Sequence, residues 1–190
     1  VAACLFASSA LPLLRTAEQI KTRQKIKWSG FPWRTTRKSV IAESGIGFDV
    51  VATGSIWSLF LLIIVFAHQQ EGIYAIIGVL TAIGMTVAFI SAFVFGKLID
   101  KRGGGDLLRY SVIAKSISHI LRPLTGNMVG AAAINAGSEV ATTGYGMSFT
   151  RGMFDVADYS GFRLTYLLLI EIAVNIGASL AAAIAALLFY

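Results

Sequence analysis

Apolar runs and charged breaks alternate along this chain at the spacing of membrane helices. A helix that crosses the hydrocarbon needs about 20 mostly apolar residues. Residues 50–67, VVATGSIWSLFLLIIVFA, carry no charge, and HQQEG then breaks the run. Residues 72–96 are also free of charge and long enough to span with some tilt. A third run, 107–125, is interrupted by Arg109, Lys115, His119 and Arg122. Residues 127–150 hold one charge, Glu139, and residues 164–190 hold one, Glu171. The pattern predicts five whole transmembrane helices over residues 44–190. Residues 1–14, VAACLFASSALPLL, read as the end of a further membrane helix. Basic residues follow this stretch instead of preceding it, which argues against a signal peptide. Residues 15–43 then read as a connecting loop. The expected fold class is an all-α membrane protein, a polytopic bundle with a partial N-terminal helix.

Composition strengthens this reading. The chain is 56% hydrophobic and 14% charged, whereas soluble domains carry roughly 25% charged residues. One soluble core of this size could not hide so much apolar side chain, but a bilayer solvates apolar faces directly. The single cysteine, Cys4, excludes an internal disulfide and a cysteine-based metal site. The chain starts and stops inside apolar sequence and reads as a piece of something longer.

Charge placement adds an independent check. Lys and Arg concentrate in cytoplasmic loops. Eight of the sixteen lie in residues 15–38; Lys97, Lys101, Arg102 and Arg109 flank the break after the second run; Arg151 and Arg163 flank the break before the last. Two spans separate each of these segments from the next, so fourteen of the sixteen basic residues fall on one side. Residues 96–109 are therefore expected to form a short cytoplasmic turn. In the connecting loop, IKTRQKIKW alternates basic and apolar residues and SGFPW adds aromatics. That segment either lies on the anionic leaflet or is a flexible linker. Nucleic-acid binding is not expected, because topology already accounts for the basic residues.

Within that turn, Gly96, Asp100, Lys101 and Gly103, with Arg102 between, follow the pattern Gly, three residues, Asp, basic, any residue, Gly. This resembles the loop between the second and third helices of a six-helix half in major facilitator superfamily transporters. From average residue usage, a chance match has odds on the order of one in a hundred. The chain departs from the pattern at Gly104 and Gly105, where the family often has basic residues, and Arg109 supplies a charge slightly later. The resemblance implies the C-terminal half of a twelve-helix fold, from the end of helix six to helix eleven. It further implies a conformational-switch role for Gly96, Asp100, Lys101, Arg102, Gly103 and Arg109. Asp100 would accept hydrogen bonds at a neighbouring helix N-terminus or pair with an arginine. The bland alternative is a basic turn that merely obeys topology.

Ionisable groups at membrane depth are costly and are functional candidates by default. Ser111, Lys115, Ser118, His119 and Arg122 fall at helical spacing and form one stripe. The stripe must face protein or water. It serves either as an ion path or as a packing face against acidic neighbours, with Arg122 reaching to the outer surface. Glu139, with Asn135 one turn before it, and Glu171, with Asn175 one turn after it, are candidates for a substrate or proton pathway. Burial disfavours a charged carboxyl, which suits proton exchange. The alternative for both is an interhelical bond, for instance with Lys115. Glu43 and Asp49 are expected at the cytoplasmic edge. Two small-residue pairs, Gly126 with Gly130 and Ala133 with Gly137, are expected to let helices pack closely.

The resemblance implies a secondary active transporter of a small solute, in contact with lipid and with a missing N-terminal half of the same protein. It carries no cofactor, no metal and no catalytic role, and its expected place is a bacterial cytoplasmic membrane. The competing reading is a membrane-embedded enzyme or enzyme subunit acting on lipid head groups through Asp100 and Asp106. Those two aspartates do not form the spaced set that metal-dependent lipid transferases use. No phosphate loop, zincin or nucleophile-elbow motif occurs.

Overall fold

The computed structural model describes residues 25–67, 72–101 and 104–189. The apolar stretch 1–14, and with it Cys4, lies outside the described residues, as do Arg102 and Gly103. Five helices follow one another in chain order: α1 (Trp33–Val65), α2 (Ile73–Asp100), α3 (Gly104–Leu121), α4 (Met128–Tyr159) and α5 (Arg163–Phe189). No strand occurs among the described residues. Helices α1, α2 and α5 are long and apolar enough to cross a membrane. Helix α3 carries Lys115, His119 and Arg122, and α4 is dense in Gly, Ser and Thr; neither joins that set.

The boundaries correct the expected ones. Helix α1 begins at Trp33, so residues 33–43 are helix, not connecting loop. Helix α4 runs to Tyr159, through Arg151, which was expected at a break between helices. Residues 96–100 are the last turn of α2 and residues 104–109 the first turns of α3, so the expected 96–109 turn is shorter. One physical reason covers all three. At 1.5 Å per residue, 32 residues make a helix of about 48 Å, against about 30 Å of hydrocarbon. Charges mark where a helix leaves the oil, and these helices continue beyond that point.

Local chemistry sets the ends. Pro32 precedes α1, and Thr36 donates its hydroxyl to the Pro32 carbonyl at 3.1 Å. Pro123 sits in the 3₁₀ turn Arg122–Leu124 that closes α3. Asn127 caps α4, its side-chain oxygen accepting from the Gly130 N–H at 2.8 Å.

Helix α4 is central, packing on α2 along one side and α3 along another. Helix α5 packs chiefly along the first half of α1. There Gly47 and Gly177 make the approach possible: a methyl on Gly47 would overlap the Val174 backbone carbonyl, and one on Gly177 the Ser44 carbonyl. Gly144 likewise presses α4 onto Ser111 of α3. The expected small-residue pairs do not serve this purpose. Gly126 and Gly137 have nothing within contact of an added methyl, and Gly130 meets its own cap.

Two apolar clusters close the ends. Trp57, Leu61, Phe66, Ile73, Leu80 and Ala131 join α1, α2 and α4 at one end. Phe31, Ala157, Tyr166 and Ile170 join the segment before α1 to α4 and α5 at the other. At this second end the Lys27 backbone exchanges two 3.0 Å hydrogen bonds with the Thr165 hydroxyl.

Candidate functional site

Between the two clusters lies a layer of buried polar side chains. Helix α1 supplies Asp49 and Thr53 through an unusual backbone. Residues Ala52–Ile56 and Leu61–Val65 are π-helical. In a regular α-helix, each i to i+4 step overshoots a full turn by about 40°, so three steps rotate a stripe by about 120°. The wider π turns rotate it back. Asp49, Thr53, Trp57 and Leu61, four residues apart, consequently all turn inward, and Trp57 and Leu61 are buried.

Helix α3 supplies the second wall. Leu107, Ser111, Lys115, Ser118 and Arg122 are its buried positions. Lys115 Nζ lies 3.3 Å from Asp49 Oδ2. It also donates to Thr142 Oγ1 at 2.8 Å, Ser138 Oγ at 3.1 Å and Thr53 Oγ1 at 3.3 Å. His119 Nε2 lies 2.7 Å from Asp49 Oδ1. Arg122 donates from Nη1 to Thr53 at 3.1 Å and from Nη2 to Ser138 at 3.0 Å. Helix α4 completes the layer with Ser138, Thr142 and Tyr145, whose hydroxyl donates to Asp49 Oδ2 at 3.0 Å. Thr53 in turn donates to Asp49 Oδ1 at 2.9 Å. One carboxylate thus gathers a lysine, a histidine, a threonine and a tyrosine from three helices.

Two expectations are corrected here. Asp49 sits half-buried in this layer and Glu43 is buried, so neither is an exposed charge at the start of a span. Arg122 does not reach to the outer surface; it is turned inward and buried. The physical reason is the same for both. A charge in an apolar bundle gains more from a ring of donors and acceptors than from a strained route to water. The carboxylate on Lys115 is Asp49, not Glu139 or Glu171.

The remaining candidates are dispersed. Glu139 and Asn135 line a cavity of about 350 Å³ between α1, α2 and α4, together with Thr53, Trp57 and Thr81. Asn135 donates to the Leu80 carbonyl at 3.4 Å. Asp49, Lys115, His119 and Tyr145 line a second cavity of about 280 Å³ between α1, α3 and α4. Glu171 and Asn175 stand away from both, on an exposed face of α5. Asn175 donates to the Glu171 carbonyl at 2.8 Å and to its carboxylate at 3.2 Å.

At the α2–α3 connection, Gly96 would place an added methyl in ordinary contact with Met147 of α4, at 3.8 Å. Asp100 Oδ1 lies 3.6 Å from Arg151 Nη1, with both groups largely exposed. Such a pair is worth roughly 0–1 kcal/mol. Lys101, Arg109 and Asp106 are exposed. Sequence reasoning missed Asp49, Thr53, Ser138, Thr142 and Tyr145 as site residues. The available signal was the four-residue spacing of Asp49 and Thr53 opposite a basic stripe.

No protein-family model matches the chain, and neither a curated protein nor a solved structure matches it.

Proposed function

We propose that the chain is a five-span part of a secondary transporter, moving a small solute across a membrane by alternating access with proton coupling. The observation that carries this reading is one charged layer with a cavity on each side of it. The 280 Å³ cavity is lined by Ala42 to Asp49 of α1 and by Leu108 to His119 of α3. The 350 Å³ cavity is lined by Thr53 to Leu61 of α1 and by Ile77 to Ala88 of α2. Along α1 the two cavities meet at Asp49 and Thr53. An alternating barrier requires an element with two arrangements, and the ion-paired layer between the cavities is the element we assign to that role. Glu139 in one cavity and Asp49 in the other offer carboxylates for the coupled proton. The likeness of residues 96–103 to the facilitator loop points the same way, and the family's paired halves make a second six-helix unit the natural partner.

The test is thiol labelling in membranes. Ala42→Cys reports the first cavity and Ala88→Cys the second, each in a Cys4→Ser background. A transporter gives labelling of each position from one side of the membrane only, and a transported solute raises one rate while lowering the other. Labelling of both positions from one side, unaffected by any solute in a panel of sugars, amino acids and organic acids, would sink the proposal.

A further inference from the structure

Arg122 is a buried guanidinium with no carboxylate in contact. Lys115 and His119 both lie on Asp49, whereas Arg122 meets the Thr53 and Ser138 hydroxyls and, at 3.3 Å, His119 Nδ1. Its Nε is buried without a hydrogen-bond partner among the described residues. The guanidinium lies over the Trp57 ring, its carbon 5.1 Å from the centroid. Trp57 Nε1 is also buried without a partner. Both residues are 5% exposed. Two donors that cannot accept therefore sit beside a permanent cation. Among the described residues both lack an acceptor, and although Asp49 and Glu139 lie near enough to act on the cation electrostatically, neither touches it. Leaving such donors unmatched is unfavourable.

We propose that this is the solute site and that the solute is a small oxyanion: a carboxylate, sulfate or phosphate. The planar Nε and Nη edge of arginine matches two oxygens of such a group. The approach is the 350 Å³ cavity, which Trp57 lines and Arg122 does not; because neither nitrogen has exposed surface, the indole and the guanidinium part to admit the anion. Glu139 lines the same cavity, one residue from Ser138. Its negative charge opposes an anion there, which couples occupancy of the site to the charge on residue 139. The role as cargo rests on the transport reading above; binding is measured without transport.

The experiment is thermal unfolding of the purified chain in detergent. Sodium acetate, sulfate or phosphate replaces chloride at constant ionic strength. At least one should raise the Tm by about 4 °C near saturation. Arg122→Lys, which keeps the charge and removes Nε, should abolish the rise. Trp57→Phe, which keeps the ring and removes the N–H, should raise the half-maximal concentration about tenfold. Glu139→Gln should lower it. No rise with any of the three anions would mean that the donors hold only water. An equal rise in Trp57→Phe and wild type would place the anion elsewhere, and that comparison stands if Arg122→Lys does not fold. An unchanged half-maximal concentration in Glu139→Gln would remove the coupling. Solute-dependent labelling at Ala42 and Ala88 without any anion effect would keep the transporter and discard the oxyanion.

Discussion

Asp49 and Lys115 show how a pair inside the helix bundle differs from one at a surface. Lys115 touches one carboxylate and three hydroxyls, and Asp49 accepts from four side chains. Removing one member strands the other. Lys115→Met should destabilise the protein by about 3 kcal/mol, read by denaturation in detergent. The double variant Lys115→Met with Asp49→Asn should recover at least half of that loss, because the carboxylate is then no longer stranded without its lysine. Equal stability of the single and double variants would show that the pair is not coupled. The basic side of this layer was legible in the sequence, since spacings of three and four place Lys115, His119 and Arg122 on one face. Its acidic side was not. Asp49 stands at the lip of a charge-free run and reads as a boundary charge. Thr142 bonds the Ser138 carbonyl of its own helix, as many membrane hydroxyls do, so no spacing rule reveals its second partner.

Among the helices, the glycines sort by what they face. Gly177 of α5 meets backbone of α1, while Gly137 of α4 meets open space. Gly177→Ala should cost about 1–3 kcal/mol through overpacking. Gly137→Ala should be neutral or stabilising, since alanine is the better helix former by about 1 kcal/mol. Thermal unfolding of the two variants checks the contrast, and equal effects would overturn the packing described for α1 and α5. Small-residue spacing suggested close packing around Gly137, but which spacing is used depends on the rotation of neighbouring helices, a tertiary fact. Helix existence was legible from apolar runs. Helix ends were not, because α1 begins well before its first apolar turn and α4 continues past its last.

For the molecule as a whole, three contacts draw the basic segments to one end. Phe31 packs edge-on against Phe162 at 5.8 Å, the Lys27 backbone bonds Thr165, and Asp100 pairs with Arg151. Cysteines replacing Arg34, Asp106 and Asp155 should be labelled from one side of the membrane, and a cysteine replacing Gly126 from the other. Labelling of Gly126→Cys together with the first three would undo the proposed five-span arrangement. Seen this way, α1 is a strut common to two bodies: with its lower half it carries α5, and with its upper half it braces α2, α3 and α4. Torque on α5 has two routes: along α1 into the wider winding that carries Thr53, and straight into α4 where Ala157 meets Tyr166 and Ile170, so the two routes together set how stiffly one body answers the other.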